Sequence, residues 1–119
     1  MTVSDLLVEC ARDPEHFQRY VNAFVDAFRR ADAATRWATV VDGPAHSGQF
    51  EGLVAAVVSA LSRETGVEAP AWVRVTHSPE PFFAMPARGF ALRLRLMLEA
   101  PPPFRARNVF VPENYLARA

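Results

Sequence analysis

The segment from Pro14 to Arg30, PEHFQRYVNAFVDAFRR, constrains the fold more than any other stretch. Phe17, Tyr20, Val21, Phe24, Val25 and Phe28 recur at intervals of three and four residues. That spacing places all six on one stripe of a helix. Asp13 is expected to cap this helix. Pro14 then occupies the first turn, where a missing N–H costs nothing. Three phenylalanines and a tyrosine on one face need a large apolar partner. Phe50, Leu53, Val54, Val57, Val58 and Leu61 repeat the spacing. Two helices with one matching stripe each predict a helical pair around a shared core.

The rest of the chain reads as shorter pieces around that pair. A first helix is expected over residues 4–13, capped by Thr2 or Ser4, with Leu6, Leu7 and Cys10 on its apolar side. Residues 31–41 continue the long helix or restart one on Trp37, Val40 and Val41, until Asp42-Gly43-Pro44 stops it. Ser47 is expected to cap the helix over residues 48–64, and Gly66 to close it in the left-handed conformation. Pro70 opens a short turn or helix that brings Trp72 to the core. Residues 76–89 carry Pro79, Pro81 and Pro86 and predict a long irregular segment, pinned by Phe82, Phe83 and Met85. Over residues 90–99, FALRLRLMLE, apolar residues alternate as in a strand. Leucine, methionine, alanine and arginine prefer helix, and helix is the expected state. Val109 to Val111 reads as a short extended piece, and Pro112 to Ala119 as a last short helix. The predicted fold is mainly α. It is a small helical bundle forming a single domain over residues 1–119, with a Pro-rich irregular segment and a minor β element near residues 90–111. Residues 1–41 form its N-terminal helices.

Composition excludes several classes. The 119 residues are half hydrophobic and contain no apolar run long enough to span a bilayer. The N-terminus carries Asp5 and Glu9 and no basic stretch, so a secretory signal is not expected and the cytoplasm is. Cys10 is the only cysteine, which rules out an internal disulfide and suits a buried structural thiol. All 13 basic residues are arginine, a bias that a GC-rich genome or phosphate and carboxylate recognition produces. The net charge is zero but divided. Residues 1–87 hold seven Arg against eleven acids, and residues 88–119 hold six Arg against two. Such a split marks an interaction face or pairs one half of the fold with the other.

No sequence pattern carries catalysis. Phosphate loops, nucleophile elbows and zinc helices are missing from the chain. His16, His46 and His77 are far apart, and Ser47 beside His46 reads as a helix cap. Asp26 and Arg30 are spaced for an ion pair along one helix. The expectation is a protein that is not an enzyme, with no cofactor and no metal. A third reading, a small-ligand pocket near Trp72, Phe82 and Phe83, stays open.

Residues 43–48, GPAHSG, precede the helix over residues 53–61 and the run Gly66-Val67-Glu68-Ala69-Pro70-Ala71-Trp72. A second stretch runs from Leu94 through Phe104-Arg105-Ala106-Arg107-Asn108-Val109-Phe110 to the C-terminus. Together these resemble the C-terminal region of actinobacterial regulators of the Xre helix-turn-helix type, often described as antitoxin-like. The resemblance covers about residues 40–119, and Pro44, Gly48, Gly66, Pro70, Trp72, Phe104, Arg105, Arg107 and Phe110 fall on its motifs. Ser47 stands where that region has threonine, and Phe50-Glu51 where it has Trp-Asp. No DNA-binding pattern precedes it here. The resemblance therefore implies a protein-binding or regulatory module whose partner is a toxin or a regulator chain.

Arg93, Arg95, Arg105 and Arg107 are the candidate partner contacts; Phe104 and Phe110 are either apolar anchors beside them or, the favoured reading, part of the core. A homo-oligomer is a further expectation, and a membrane partner is not. The alternative function is nucleic-acid binding by the arginines between residues 88 and 118.

Overall fold

The computed structural model describes residues 1–85 and 89–118. Seven α-helices and one two-stranded sheet make up these residues. The chain is mainly helical, as its pattern predicts.

Helix α1, Val3–Arg12, starts from a capping box in which Thr2 and Asp5 bond each other's backbone N–H groups. The corner after it differs from expectation. Asp13 closes α1, and its carboxylate caps no helix; Pro14–His16 form one 3-10 turn before α2, Phe17–Arg30. The Asp13 carboxylate has two other partners, Tyr20 Oη at 2.8 Å and His16 Nδ1 at 2.9 Å. Arg12 joins this corner through Glu9 and Tyr20. On α2, Val21, Phe24, Val25 and Phe28 are buried, and Phe17 and Tyr20 pack against them. Helix α3, Ala33–Val40, is a restart, capped by the Asp32 side chain at the Thr35 N–H.

Helix α4, Gln49–Thr65, is the hub of the molecule. Of the expected stripe, Leu53, Val54, Val57, Val58 and Leu61 are buried and Phe50 packs half-buried against the core, while Gly52, Ala55, Ala56 and Ser62 are buried as well. Helices α1 and α2, the short helices α5, Trp72–Val75, and α7, Pro102–Arg105, and strand β2, Val109–Phe110, all pack on it. The small residues between the large ones let neighbours approach on every side. Gly66 ends α4 at φ +72°, the left-handed state that glycine adopts without strain. Ser47 does not cap α4. Gly48 holds that position, and the Ser47 hydroxyl instead accepts the His77 N–H at 3.4 Å.

The Pro-rich segment is tied down by backbone pairing. Strand β1, Phe82–Phe83, runs parallel to β2, with Phe82 opposite Val109 and Phe83 opposite Phe110. Ser78 N–H donates to the Arg107 carbonyl, and the Asn108 side chain donates to the Ser78 carbonyl. Asn108 takes φ +63°, a left-handed position that asparagine tolerates. Phe82 packs between Phe17 and Phe50, with ring centroids 5.7 and 5.8 Å away. Met85, expected to pin this segment, is exposed, while part of the segment, residues 86–88, lies outside the described residues.

Residues 90–99 are helical, forming α6, Phe90–Glu99. The expected C-terminal helix does not form. After Pro112 the chain makes two turns, Tyr115 N–H to the Pro112 carbonyl and Ala117 N–H to the Asn114 carbonyl. The side chains there take over the docking: Tyr115 donates to Gln18 of α2, and its ring meets Phe104 edge-on at 5.5 Å. Arg118 bonds Asp26 at 3.0 and 3.1 Å, which displaces the expected Asp26–Arg30 pair. This contact also joins the acidic N-terminal part to the basic C-terminal part.

Candidate functional site

Helix α6 is the least covered of the long elements. A small cluster holds it, made of Leu96, Ala100 and Phe110 with Phe83 against them. Glu99 adds a tether by accepting the Glu113 N–H at 3.2 Å. Leu96 is the one buried residue of the helix. Leu94 and Leu98 each lie two residues from it, about 200° around the axis, and so face away from the body. Phe90 is 80% exposed, Leu98 70% and Leu94 42%. Met97 is exposed too, and together these side chains form an outward apolar stripe about two turns long.

Two open grooves flank Leu94. One, of about 440 Å³, is lined by Pro81, Phe83, Phe90, Arg93, Leu94 and Met97. The other, of about 410 Å³, is lined by Ala91, Leu94, Arg95, Leu98 and Glu99. Arg93 lies over the Phe83 ring at 5.4 Å. Arg95 reaches Glu99 at 3.4 Å on the other side. The stripe thus has an arginine on each flank. Trp72 lines neither groove. Its indole N–H donates to the Val40 carbonyl at 2.8 Å, so it braces α3 rather than walling a pocket.

The expected contact residues separate into two groups. Arg93 and Arg95 sit beside the exposed stripe, and Arg105 is exposed on α7. Arg107 is half-buried and its guanidinium is engaged within the fold: its Nε donates to the Val73 carbonyl at 3.0 Å and its Nη1 to the Pro103 carbonyl at 2.7 Å. Burial lowers its pKa. Phe104 is 1% and Phe110 5% exposed. Both are buried, so of their two readings the core one holds and neither serves as a surface anchor. Phe104 is covered by the α4 core, and Phe110 by Leu96, Ala100 and Phe83. The sequence reading passed over Phe90, Leu94, Met97 and Leu98. Their signal was present in the helical rows of residues 90–99, which carry apolar residues on both sides of the helix.

The arginines from Arg93 to Arg118 do not share one arrangement. Arg107 bonds backbone carbonyls, Arg118 bonds Asp26 and Arg95 bonds Glu99; Arg88 lies outside the described residues.

Among the described residues, no three His, Cys, Asp or Glu side chains gather as metal ligands. Cys10 is buried, and burial first, then Glu51 and Glu9, pushes its thiol up to about 12. It is thereby kept as the neutral thiol. Ser62 Oγ is the one buried side-chain oxygen or nitrogen without a hydrogen-bond partner among the described residues. No helix among them is long and apolar enough to cross a membrane. No protein-family model, curated protein or solved structure matches this chain.

Proposed function

We propose that this chain is a non-catalytic protein-binding or regulatory module that docks its partner on α6. The observation that carries the reading is the exposure of Phe90, Leu94, Met97 and Leu98 on one stripe of a ten-residue helix. Contiguous apolar surface of this kind, rimmed by polar groups, marks an interaction site. The resemblance of residues 40–119 to the antitoxin-like regulator region supports the same class of action, with a toxin or a regulator chain as partner. The arginine-rich C-terminal part remains the basis for the alternative, nucleic-acid binding. The internal bonds of Arg107 and Arg118 leave that alternative fewer outward cations than composition suggests.

The test is affinity capture from the native host with the tagged chain and with its Leu94→Glu/Leu98→Glu variant, each with and without nuclease. A stoichiometric protein that survives nuclease on the parent chain and is lost on the variant is the expected result. Nucleic acid recovered alone, and released by salt, would replace this reading with the alternative.

A further inference from the structure

We infer that the α6 face also binds a second copy of this chain, as an antiparallel two-fold pair of α6 helices. This rests on the reading of α6 as a docking surface and names an occupant that the chain itself supplies. Two features of the face lead to it, and a third sets its strength.

The first is the order of charge along one flank. Arg95 and Glu99 stand about one helical turn apart on the same side of the stripe and meet at 3.4 Å. Their described hydrogen bond leaves from Arg95 Nε, and the Arg95 side chain is 77% exposed. Glu99 accepts it on Oε2 and the Glu113 N–H on Oε1. A guanidinium has more donors, and a carboxylate more acceptor sites, than these contacts use. The flank is neutral as a whole, so a partner of net charge gains nothing from it. What complements it is an acid opposite Arg95 and a base opposite Glu99, in that order. An antiparallel second α6 presents the same flank in reverse. With the two-fold axis at the level of Met97, Arg95 of each copy lies level with Glu99 of the other. Each ion then has one opposite charge along its own helix and one across the interface.

The second is that the same register seats the apolar residues. Met97 lies opposite its own copy, and Leu94 comes within about 3 Å, along the helix axis, of the level of the copy's Leu98. The groove lined by Ala91, Leu94, Arg95, Leu98 and Glu99 is made of α6 residues alone. It receives the Leu94–Leu98 ridge of the copy, as ridges of one helix fill grooves of another. A parallel pair sets the Arg95–Glu99 flank against the flank of Phe90, Arg93 and Met97, which leaves Arg95 without an acid across the interface.

The third is area. About two turns of helix on each side fall short of the roughly 1,200 Å² that stable complexes bury. The pair is therefore weak, with a dissociation constant expected between about 10 and 500 µM, and it yields the face to a partner with a larger footprint.

The experiment uses the full chain. Sedimentation velocity is run from about 10 µM to about 1 mM, and a concentration-dependent monomer–dimer equilibrium is expected. Leu94→Glu is expected to raise the dissociation constant at least about tenfold. Arg95→Glu leaves two acids on the flank and Glu99→Arg leaves two bases; each alone is expected to weaken pairing at least about threefold. Mixed in equal amounts, the two variants are expected to pair with each other at least as tightly as the parent pairs with itself, with the gain shrinking in high salt. Circular dichroism and the melting temperature confirm that each variant folds. Glu99→Arg gives up the bond to the Glu113 N–H, so a second readout stands beside it. Under a mild oxidant, Leu94→Cys is expected to form a disulfide with Leu98→Cys faster than with itself, while the buried Cys10 stays out of the reaction.

A chain that stays monomeric at about 1 mM overturns the inference. So does a dimer that Leu94→Glu leaves intact, because another surface then holds it. Folded charge variants that do not recover pairing on mixing, or Leu94→Cys linking fastest to itself, exclude the antiparallel pair and overturn it as well. If the chain is monomeric while the native capture still depends on Leu94 and Leu98, the docking role of α6 stands and only the self-pairing falls. If neither self-association nor native capture responds to changes at Leu94 and Leu98, both readings fail together.

Discussion

The indole of Trp72 stands where a side chain on Gly43 would have to go. A Cβ built on Gly43 falls 2.2 Å from Trp72 Cδ2, while the indole N–H holds the Val40 carbonyl. Gly52 shows the same close approach with a harder obstacle. Its Cβ would lie 2.4 Å from the Ser78 backbone nitrogen and 2.7 Å from the His77 carbonyl carbon. Helix propensity alone favours alanine over glycine by about 1 kcal/mol within α4. The approach of the His77–Ser78 backbone reverses that preference. Gly43→Ala is expected to cost roughly 1–3 kcal/mol, and Gly52→Ala more, because a ring can tilt and a packed backbone cannot. Urea unfolding measures both. A Gly52→Ala protein at least as stable as the parent would contradict the packing described for α4.

Arg105 and Arg107 are two residues apart and have opposite surroundings. Arg107 spans the Val73 and Pro103 carbonyls and thereby ties α5 to α7, whereas Arg105 points to solvent. Arg107→Ala is expected to lose roughly 1–3 kcal/mol through two carbonyls left without their donor. Arg107→Lys recovers only part of this, since an ammonium does not reproduce the planar fork. Arg105→Ala is expected to stay within about 0.5 kcal/mol of the parent. Chemical denaturation of the three variants checks the order, and equal effects at the two positions would refute it.

The thiol of Cys10 offers a readout of opening. It is fully buried beside the α1–α4 contact and is held protonated by that burial. A disulfide reagent at mildly alkaline pH is expected to leave it untouched in the native protein and to modify it as denaturant is added. The modification rate should follow the unfolding transition seen by circular dichroism. Reaction at the rate of an unfolded peptide thiol would show that α1 is not docked as described.

Much of the fold was legible because α2 separates its faces cleanly. Phe24 and Phe28 lie on one side, Arg19 and Asn22 elsewhere, and burial follows the stripe. For α4 the same test found only part of the answer. Gly52, Ala55, Ala56 and Ser62 are too small to register as a second stripe, yet they are what lets α5, α7 and β2 close around the helix. The pairing of Asp26 was not legible, because Arg30 is its neighbour along the helix while Arg118, 92 residues away, wins by a two-point contact. Phe104 and Phe110 in the arginine-rich part looked like anchors. Phe110 is covered through the pairing of β1 with β2, which sets Phe83 beside it, and a two-residue parallel pairing leaves almost no mark in sequence; Phe104 is covered by the α4 core and by Tyr115, 11 residues further on. The α6 face was ambiguous for a physical reason: apolar residues on both sides of a short helix satisfy the core and a surface at once, so periodicity alone cannot divide them.

Ser62 carries a test of the α4 core that needs no partner. The residue is 3% exposed, and its buried hydroxyl makes no hydrogen bond among the described residues, so its desolvation is uncompensated. Ser62→Ala removes the orphaned oxygen and raises helix propensity. The variant is expected to be more stable by up to about 1 kcal/mol, seen as a higher denaturation midpoint. A clear loss of stability would mean that the hydroxyl has a partner the geometry does not reveal.

The acid side of the stability profile follows from five carboxylates held below their ordinary values. The Thr2 N–H lowers Asp5, His16 lowers Asp13, Arg118 lowers Asp26, the Thr35 N–H lowers Asp32 and Arg29 lowers Glu64. Each group binds its proton less readily in the folded chain than in the unfolded one. Its contribution is therefore complete above the unfolded value, 3.8 for aspartate and 4.5 for glutamate. It is lost as pH falls through the lower, folded value. The urea midpoint is expected to stay level from neutral pH to about 5 and to drop below about 4. Asp26→Asn should lower the midpoint slightly at neutral pH and flatten the drop by the same small amount, because the Asp26–Arg118 pair is solvent-screened. Added salt should shrink the difference between Asp26→Asn and the parent. A midpoint that holds or rises as the solution is acidified past pH 4 would show that these carboxylates are not paired in solution as they are in the structure.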